Sequence, residues 1–91
     1  MAVYNVTYDL NATGQNYDGL IAEIKRSASW CKYQKSAFLI YTGETAQQVC
    51  DRLKPFIDKN DYLLVINCCG SRQGWLSQEA WDWINKYVPS C

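Results

Sequence analysis

Two periodicities take turns along this chain, and their order restricts the fold more than any other feature. Val3-Tyr4-Asn5-Val6-Thr7-Tyr8-Asp9 places Tyr4, Val6 and Tyr8 at alternate positions, with the polar Asn5, Thr7 and Asp9 between them. Successive strand side chains point to opposite faces, so this is a strand with one buried face, and Asp9 closes it on the uncovered side. A polar turn cluster containing a glycine follows, from Asn11 to Asn16. The period then becomes helical. Tyr17, Leu20, Ile21, Ile24 and Ala28 form a stripe, with Asp18 in the first turn, where the helix dipole favours an acid. Gly19 weakens this helix.

Two extended pieces come next, Trp30 to Tyr33 and Ala37 to Tyr41, with Lys35-Ser36 as the bend between them. Gly43 and Thr45 introduce a second helical stripe, Ala46, Val49, Cys50, Leu53 and Ile57, whose last turn Pro55 distorts or ends. Asp61 opens the run Tyr62 to Cys69, apolar on both faces for most of its length, the pattern of a strand with neighbours and cover. Gly70 to Gly74 reads as a loop. Ala80, Trp81, Ile84, Tyr87 and Val88 mark a third, amphipathic helix within Ser77 to Val88.

Strand, helix, two strands, helix, strand and last helix together predict an α+β chain of the ferredoxin-like βαββαβ kind. The expectation is a four-stranded antiparallel sheet with two helices on one face. Ninety-one residues make a single domain, 1–91, with its core in 2–69 and a tryptophan-rich helical appendage over 75–88. The expected core is Tyr4, Val6, Tyr8, Leu20, Ile21, Ile24, Phe38, Ile40, Val49, Leu53, Leu64 and Ile66. The second sheet face, bearing Asn5 and Thr7, must then meet water, a ligand or a partner. Trp75, Trp81 and Trp83 supply more aromatic surface than one short helix can hide. That helix either packs over its own sheet or joins two protomers, and exposed aromatic patches favour a dimer or partner contact.

Composition narrows the chemistry. Nine basic residues balance nine acidic ones, so no global positive field draws in nucleic acid, and affinity for it would need a local patch or lysines doubled by symmetry. There is no histidine, which removes Ser-His and Cys-His pairs and the usual zinc patterns. Five cysteines without a C-x-x-C spacing read as reduced, structural thiols of a cytoplasmic protein. Cys68 and Cys69 would point to opposite faces of a strand, which argues against a redox pair there. Nothing resembles a signal peptide, and no stretch approaches the roughly 20 apolar residues of a membrane span.

Gly70-Ser71-Arg72-Gln73-Gly74 lacks the lysine and hydroxyl residue of a phosphate-binding loop, although Arg72 could hold an anion there. The alternative for this loop is a solvated connection. Carboxylate chemistry remains. Magnesium accepts one or two aspartates together with substrate phosphates, and Asp9 with its symmetry mate could supply such a pair. Asp61, opening a strand, is an ordinary terminator, and by spacing alone Asp9 could be one too.

Tyr8-Asp9-Leu10, the segment Tyr33-Gln34-Lys35-Ser36-Ala37-Phe38, and Asp61 ahead of the last core strand resemble CRISPR-associated protein 2. The SinR-like relatives of that family look closer still through Asn11, Trp30 and Lys54-Pro55-Phe56-Ile57-Asp58 up to Asp61. The resemblance spans Val3 to Cys69 through short motifs whose order and spacing carry the likeness. It implies a ferredoxin-like homodimer in which Asp9 would be the magnesium-binding, catalytic residue of a phosphodiesterase acting on RNA or DNA. It equally implies a structural platform that bridges DNA without catalysis. Ser36 and Phe38 match structural positions, and Asn11, Lys35 and Arg72 are the candidate nucleic-acid or anion contacts.

Two departures bear on this. The family commonly carries arginines soon after its aspartate, whereas this chain has Asn11 to Asn16. It also often has a short strand, pairing across the dimer, where this chain has its tryptophan helix. The expected function is therefore a small cytoplasmic homodimer that binds nucleic acid, a nucleotide or a protein partner with little or no catalysis, of the kind a phage or mobile element encodes. The alternative is a magnesium-dependent endonuclease using Asp9 of each protomer, including a toxin-like ribonuclease.

Overall fold

A computed structural model describes residues 1–11 and 17–91 of the chain; the greater part of the polar turn cluster read at Asn11 to Asn16 lies outside the described residues. The elements are β1 (Ala2–Asp9), α1 (Tyr17–Ile24), β2 (Ser29–Gln34), β3 (Ala37–Thr42), α2 (Ala46–Leu53) with a short 3-10 turn (Lys54–Phe56), β4 (Tyr62–Asn67) and α3 (Gln78–Tyr87). The four strands form one open antiparallel sheet in the order β2-β3-β1-β4. The chain is thus α+β, with three helices against a four-stranded sheet.

Local chemistry accounts for the boundaries. Thr45 caps α2 through a capping box: its hydroxyl accepts from the Gln48 amide, and the Gln48 side chain accepts from the Thr45 amide. Pro55 cannot donate to an α-helical ladder, and the helix tightens to the 3-10 turn there. Lys35-Ser36 is the tight link between β2 and β3. α1 is shorter than the stripe suggested. It ends at Ile24, and turns and bends carry the chain through Ala28 to β2.

The first face of the sheet holds the main core. Tyr4, Val6 and Tyr8 of β1 and Phe38 and Ile40 of β3 pack against Leu20 and Ile24 of α1 and Val49 and Leu53 of α2. Seven of these nine, with Val3, are among the largest fully buried side chains, each contributing about 1.5–3 kcal/mol of transfer free energy. Arg52 ties the helices to β3: its guanidinium pairs with the Glu44 carboxylate at 3.1 Å and donates to Ser27 Oγ at 2.6 Å. The same side chain also donates to the Glu23 carbonyl.

Three expectations are corrected. β4 is an edge strand, not a strand with neighbours on both sides, because among the described residues β1 alone pairs with it. Its alternate residues Leu63 and Val65 reach the core, whereas Leu64 and Ile66, expected inside, stand 52% and 51% exposed on the second face. The continuous apolar run hid this, since a run without polar residues carries no sign of which face is covered. Cys68 and Cys69 lie beyond β4, and the thiols are not all reduced: Cys69 and Cys91 form a disulfide, leaving Cys31, Cys50 and Cys68 free. The bonded pair is 22 residues apart and meets only because α3 folds back over the sheet.

Candidate functional site

The second face of the sheet is built from the other strand phase. Val3, Asn5, Thr7 and Asp9 of β1 share it with Tyr41, Leu39 and Ala37 of β3, and with Ile66, Leu64 and Tyr62 of β4, as the cross-strand partners require. α3 covers only part of this face. Ile84 packs on Val3 and Leu39, with Tyr33, Tyr41, Trp81 and Trp83 around them. Trp83 Nε1 donates to Ser29 Oγ at 2.9 Å, and Tyr87 lies 4.7 Å by ring centroid from both Tyr41 and Trp83. Beneath the helix, Tyr33 donates to Asn5 Oδ1 at 2.7 Å. Burial pushes the Tyr33 hydroxyl up in pKa, with the Asn5 hydrogen bond opposing it.

Of the two arrangements open to the tryptophan helix, packing over its own sheet is the one observed. Ser77 caps it by accepting from the Ala80 amide. Trp81 and Trp83 are half-buried there, while Trp75 stands 99% exposed outside the helix.

The rest of the face is open. Tyr62 is 71% exposed and, with Leu64 and Ile66, makes an apolar stripe along β4 beside Thr7 and Asp9. Thr7, Tyr8, Asp9, Tyr62, Leu63 and Leu64 line a shallow cleft of about 350 Å³. No charged residue, proline or register shift interrupts Tyr62–Asn67, and at the end of the sheet one edge of this strand has no strand paired to it among the described residues, with an apolar stripe beside it.

Asp9 therefore sits where the strand pattern put it, exposed at the tip of β1 opposite Tyr62. Asn11 and Lys35 belong to the same end of the sheet. The Asn11 amide donates to Asp61 Oδ1 at 2.9 Å and its side chain to the Asn60 carbonyl, while Tyr8 N donates to Ser36 O beside Lys35. Arg72 is elsewhere. It follows the far end of β4, where Asn67 pairs with Tyr4, so about 17 Å of strand separates its end of the sheet from Asp9. Its guanidinium donates to the Gly70 and Val88 carbonyls. The three candidate anion contacts thus form no single patch.

The donor chemistry around Asp9 offers magnesium one carboxylate per chain. Asp61 is engaged in accepting from the Asn11 and Asp58 amides, at 2.9 and 2.8 Å, which closes the turn before β4. Among the described residues no group of three or more acids, cysteines or histidines comes together. A second carboxylate would have to come from another copy of the chain or from a phosphate substrate.

Two features escaped sequence reasoning. The apolar stripe of Tyr62 with Leu64 and Ile66 is one, since the sequence pattern puts Leu64 and Ile66 in the core and only the count of strands on each side of β4 could move them. The cluster of Arg52 with Glu23, Glu44 and Ser27 lines a polar cleft of about 440 Å³, and its members share no local spacing. Among the described residues no helix is long and apolar enough to cross a membrane. Compared with family models, with curated proteins and with solved structures, the chain matches none of them.

Proposed function

We propose that this chain is a ferredoxin-like assembly module that acts by self-association through the uncovered half of its sheet, with binding and not catalysis as its work. The antiparallel order β2-β3-β1-β4 and the strand–helix–strand–strand–helix–strand succession support the ferredoxin-like reading. One observation carries the functional one: β4 is an unguarded edge flanked by a solvent-facing apolar stripe, Tyr62, Leu64 and Ile66. Isolated exposed apolar side chains are ordinary, but a row of three beside a free strand edge is the form taken by surfaces that add a strand or a second sheet. Finishing the burial of each half-exposed Leu64 and Ile66 is worth about 1 kcal/mol, a gain available only in a complex.

A second copy is the partner this surface fits best, since the stripe is uncharged and the whole chain is neutral. Kinship with CRISPR-associated protein 2 and the SinR-like proteins, a cytoplasmic setting, and nucleic acid as a ligand of the assembled dimer belong to the same proposal. The kinship and the nucleic-acid ligand are supported by the motif order around Tyr8-Asp9, Gln34 to Phe38 and Asp61, and the cytoplasmic setting rests on that kinship alone, since the Cys69–Cys91 disulfide removes the reading of five reduced thiols. The test is sedimentation of the purified chain over a concentration series, beside Ile66→Glu. A species of twice 10.5 kDa that is lost in the variant supports the proposal, and a monomer at all concentrations rejects it.

One observation favours the catalytic alternative. Asp9 lies on the same uncovered half as the stripe, so two copies joined face to face would bring two carboxylates into one interface, able to share magnesium and position an attacking water. Labelled RNA and DNA incubated with wild type and Asp9→Asn, with magnesium or a chelator, decide this. Cleavage that disappears in the variant establishes the nuclease, and identical behaviour of the two proteins removes it.

A further inference from the structure

We propose that Cys69–Cys91 is a redox site whose substrate is a dithiol reductant, and that its reduction releases α3 from the sheet. This stands independently of self-association, because it concerns the covered half of the face.

The helix has a narrow hold of its own. Only Ala80 and Ile84 of α3 are buried, and the cluster that Ile84 joins has just Val3 and Leu39 as its buried members on the sheet. Half-buried Trp81, Trp83 and Tyr87 and the Trp83–Ser29 hydrogen bond add to this hold along the helix, and a clamp at the end of β4 fixes its last turn. Gly70 N donates to Pro89 O at 2.8 Å, Arg72 donates to Gly70 O and Val88 O, and the disulfide joins the two ends. Gly70 is shaped for the clamp. Its φ is +77°, and a Cβ there would stand 3.1 Å from Cys91 Sγ, so only glycine lets the sulfur approach without displacement.

Both bonded cysteines are exposed, which gives an external thiolate access to either sulfur. Attack forms a mixed disulfide and expels the other cysteine as a thiolate. The second thiol of the reductant then resolves the intermediate. Cys69 and Cys91 leave as two thiols, and the dithiol, having lost two electrons, leaves as its own disulfide. The neighbouring Cys68 does not short-circuit this, because burial pushes its thiol up and keeps it protonated near neutrality.

The structure contains its own reporter. Cys31 is buried on the covered face, in a cleft it shares with Ser77, Ala80 and Trp83, and Glu79 of α3 is close enough to help burial push its thiol up. Cys50 lies on α2 and serves as the control.

The experiment is alkylation of the full chain with iodoacetamide, followed by mass spectrometry of each cysteine, for three samples: oxidised wild type, wild type reduced with dithiothreitol, and the double variant Cys69→Ser/Cys91→Ser without reductant. The expected result is Cys31 labelling at least about tenfold faster in the last two samples, with the Cys50 rate unchanged. Equal Cys31 rates in all three overturn the proposal. So does a parallel rise at Cys50, which means the whole domain opened, and so does full labelling of Cys69 and Cys91 in protein kept under air.

Discussion

The two edges of the sheet are handled differently, and the difference is the clearest statement this molecule makes about itself. β2 carries Lys32, its pairing with β3 shifts register between Lys32 and Gln34, and α3 packs across it from Ser29 to Cys31. Lys25 lies 4.6 Å over the Trp30 ring beside the same edge. Charge, irregularity and cover are the ordinary means of keeping a strand edge from pairing. β4 has none of them: its register with β1 is unbroken, its sequence is uncharged, and its second-face side chains meet solvent. The proposed self-association rests on this contrast between a protected edge and a bare one.

That contrast can be broken by substitution. If β4 is built for contact and not for the monomer's core, Ile40→Ala should cost about 3 kcal/mol in urea unfolding, because Ile40 is fully buried, whereas Ile66→Ala in dilute protein should cost under about 1 kcal/mol. Similar losses at both positions would return β4 to the core. Arg52→Met should cost about 2 kcal/mol, leaving the Glu44 carboxylate and Ser27 without their donor, with association unchanged, since none of these residues belongs to β4 or its stripe. A shift in association would show that the helical face takes part after all.

Smaller effects sharpen the picture of the covered side. The Tyr8 hydroxyl is buried with no hydrogen-bond partner among the described residues, so Tyr8→Phe should raise stability by about 1 kcal/mol in the same assay. Burial also pushes the Tyr8 and Tyr33 hydroxyls above the ordinary value of 10.0. The unfolded chain then loses these protons first. Stability is fully present below that value and declines as pH rises through and above it. The urea midpoint should fall between about pH 9 and pH 11, and less so in Tyr8→Phe.

The strand–helix order was legible because the chain switches cleanly between periods two and 3.6. Val3 to Asp9 announced Tyr4, Val6 and Tyr8 as buried and the tip position of Asp9, but not the burial of Val3 under α3, and Pro55 and Lys35-Ser36 marked real breaks. Leu64 and Ile66 were misassigned for a definite reason: strand neighbours are chosen by topology, and a wholly apolar run reads the same at an edge as at the centre. The disulfide was invisible for a related one. Cys69 and Cys91 are joined by the docking of α3, and 22 residues of separation say nothing about that docking. Of the candidate site residues, Asn11, Lys35 and Arg72 were grouped by their chemistry alone, while the sheet separates Arg72 from the other two by the length of β4.

The most direct test of self-association through β4 is sedimentation equilibrium of wild type, Leu64→Lys on the bare edge, and Lys32→Gln on the guarded one. Both altered side chains are exposed, so neither change disturbs the core. Wild type and Lys32→Gln dimerising alike, with Leu64→Lys monomeric at the same concentrations, is the predicted result. A dimer that survives Leu64→Lys unchanged, or a wild type that is monomeric throughout, would contradict it.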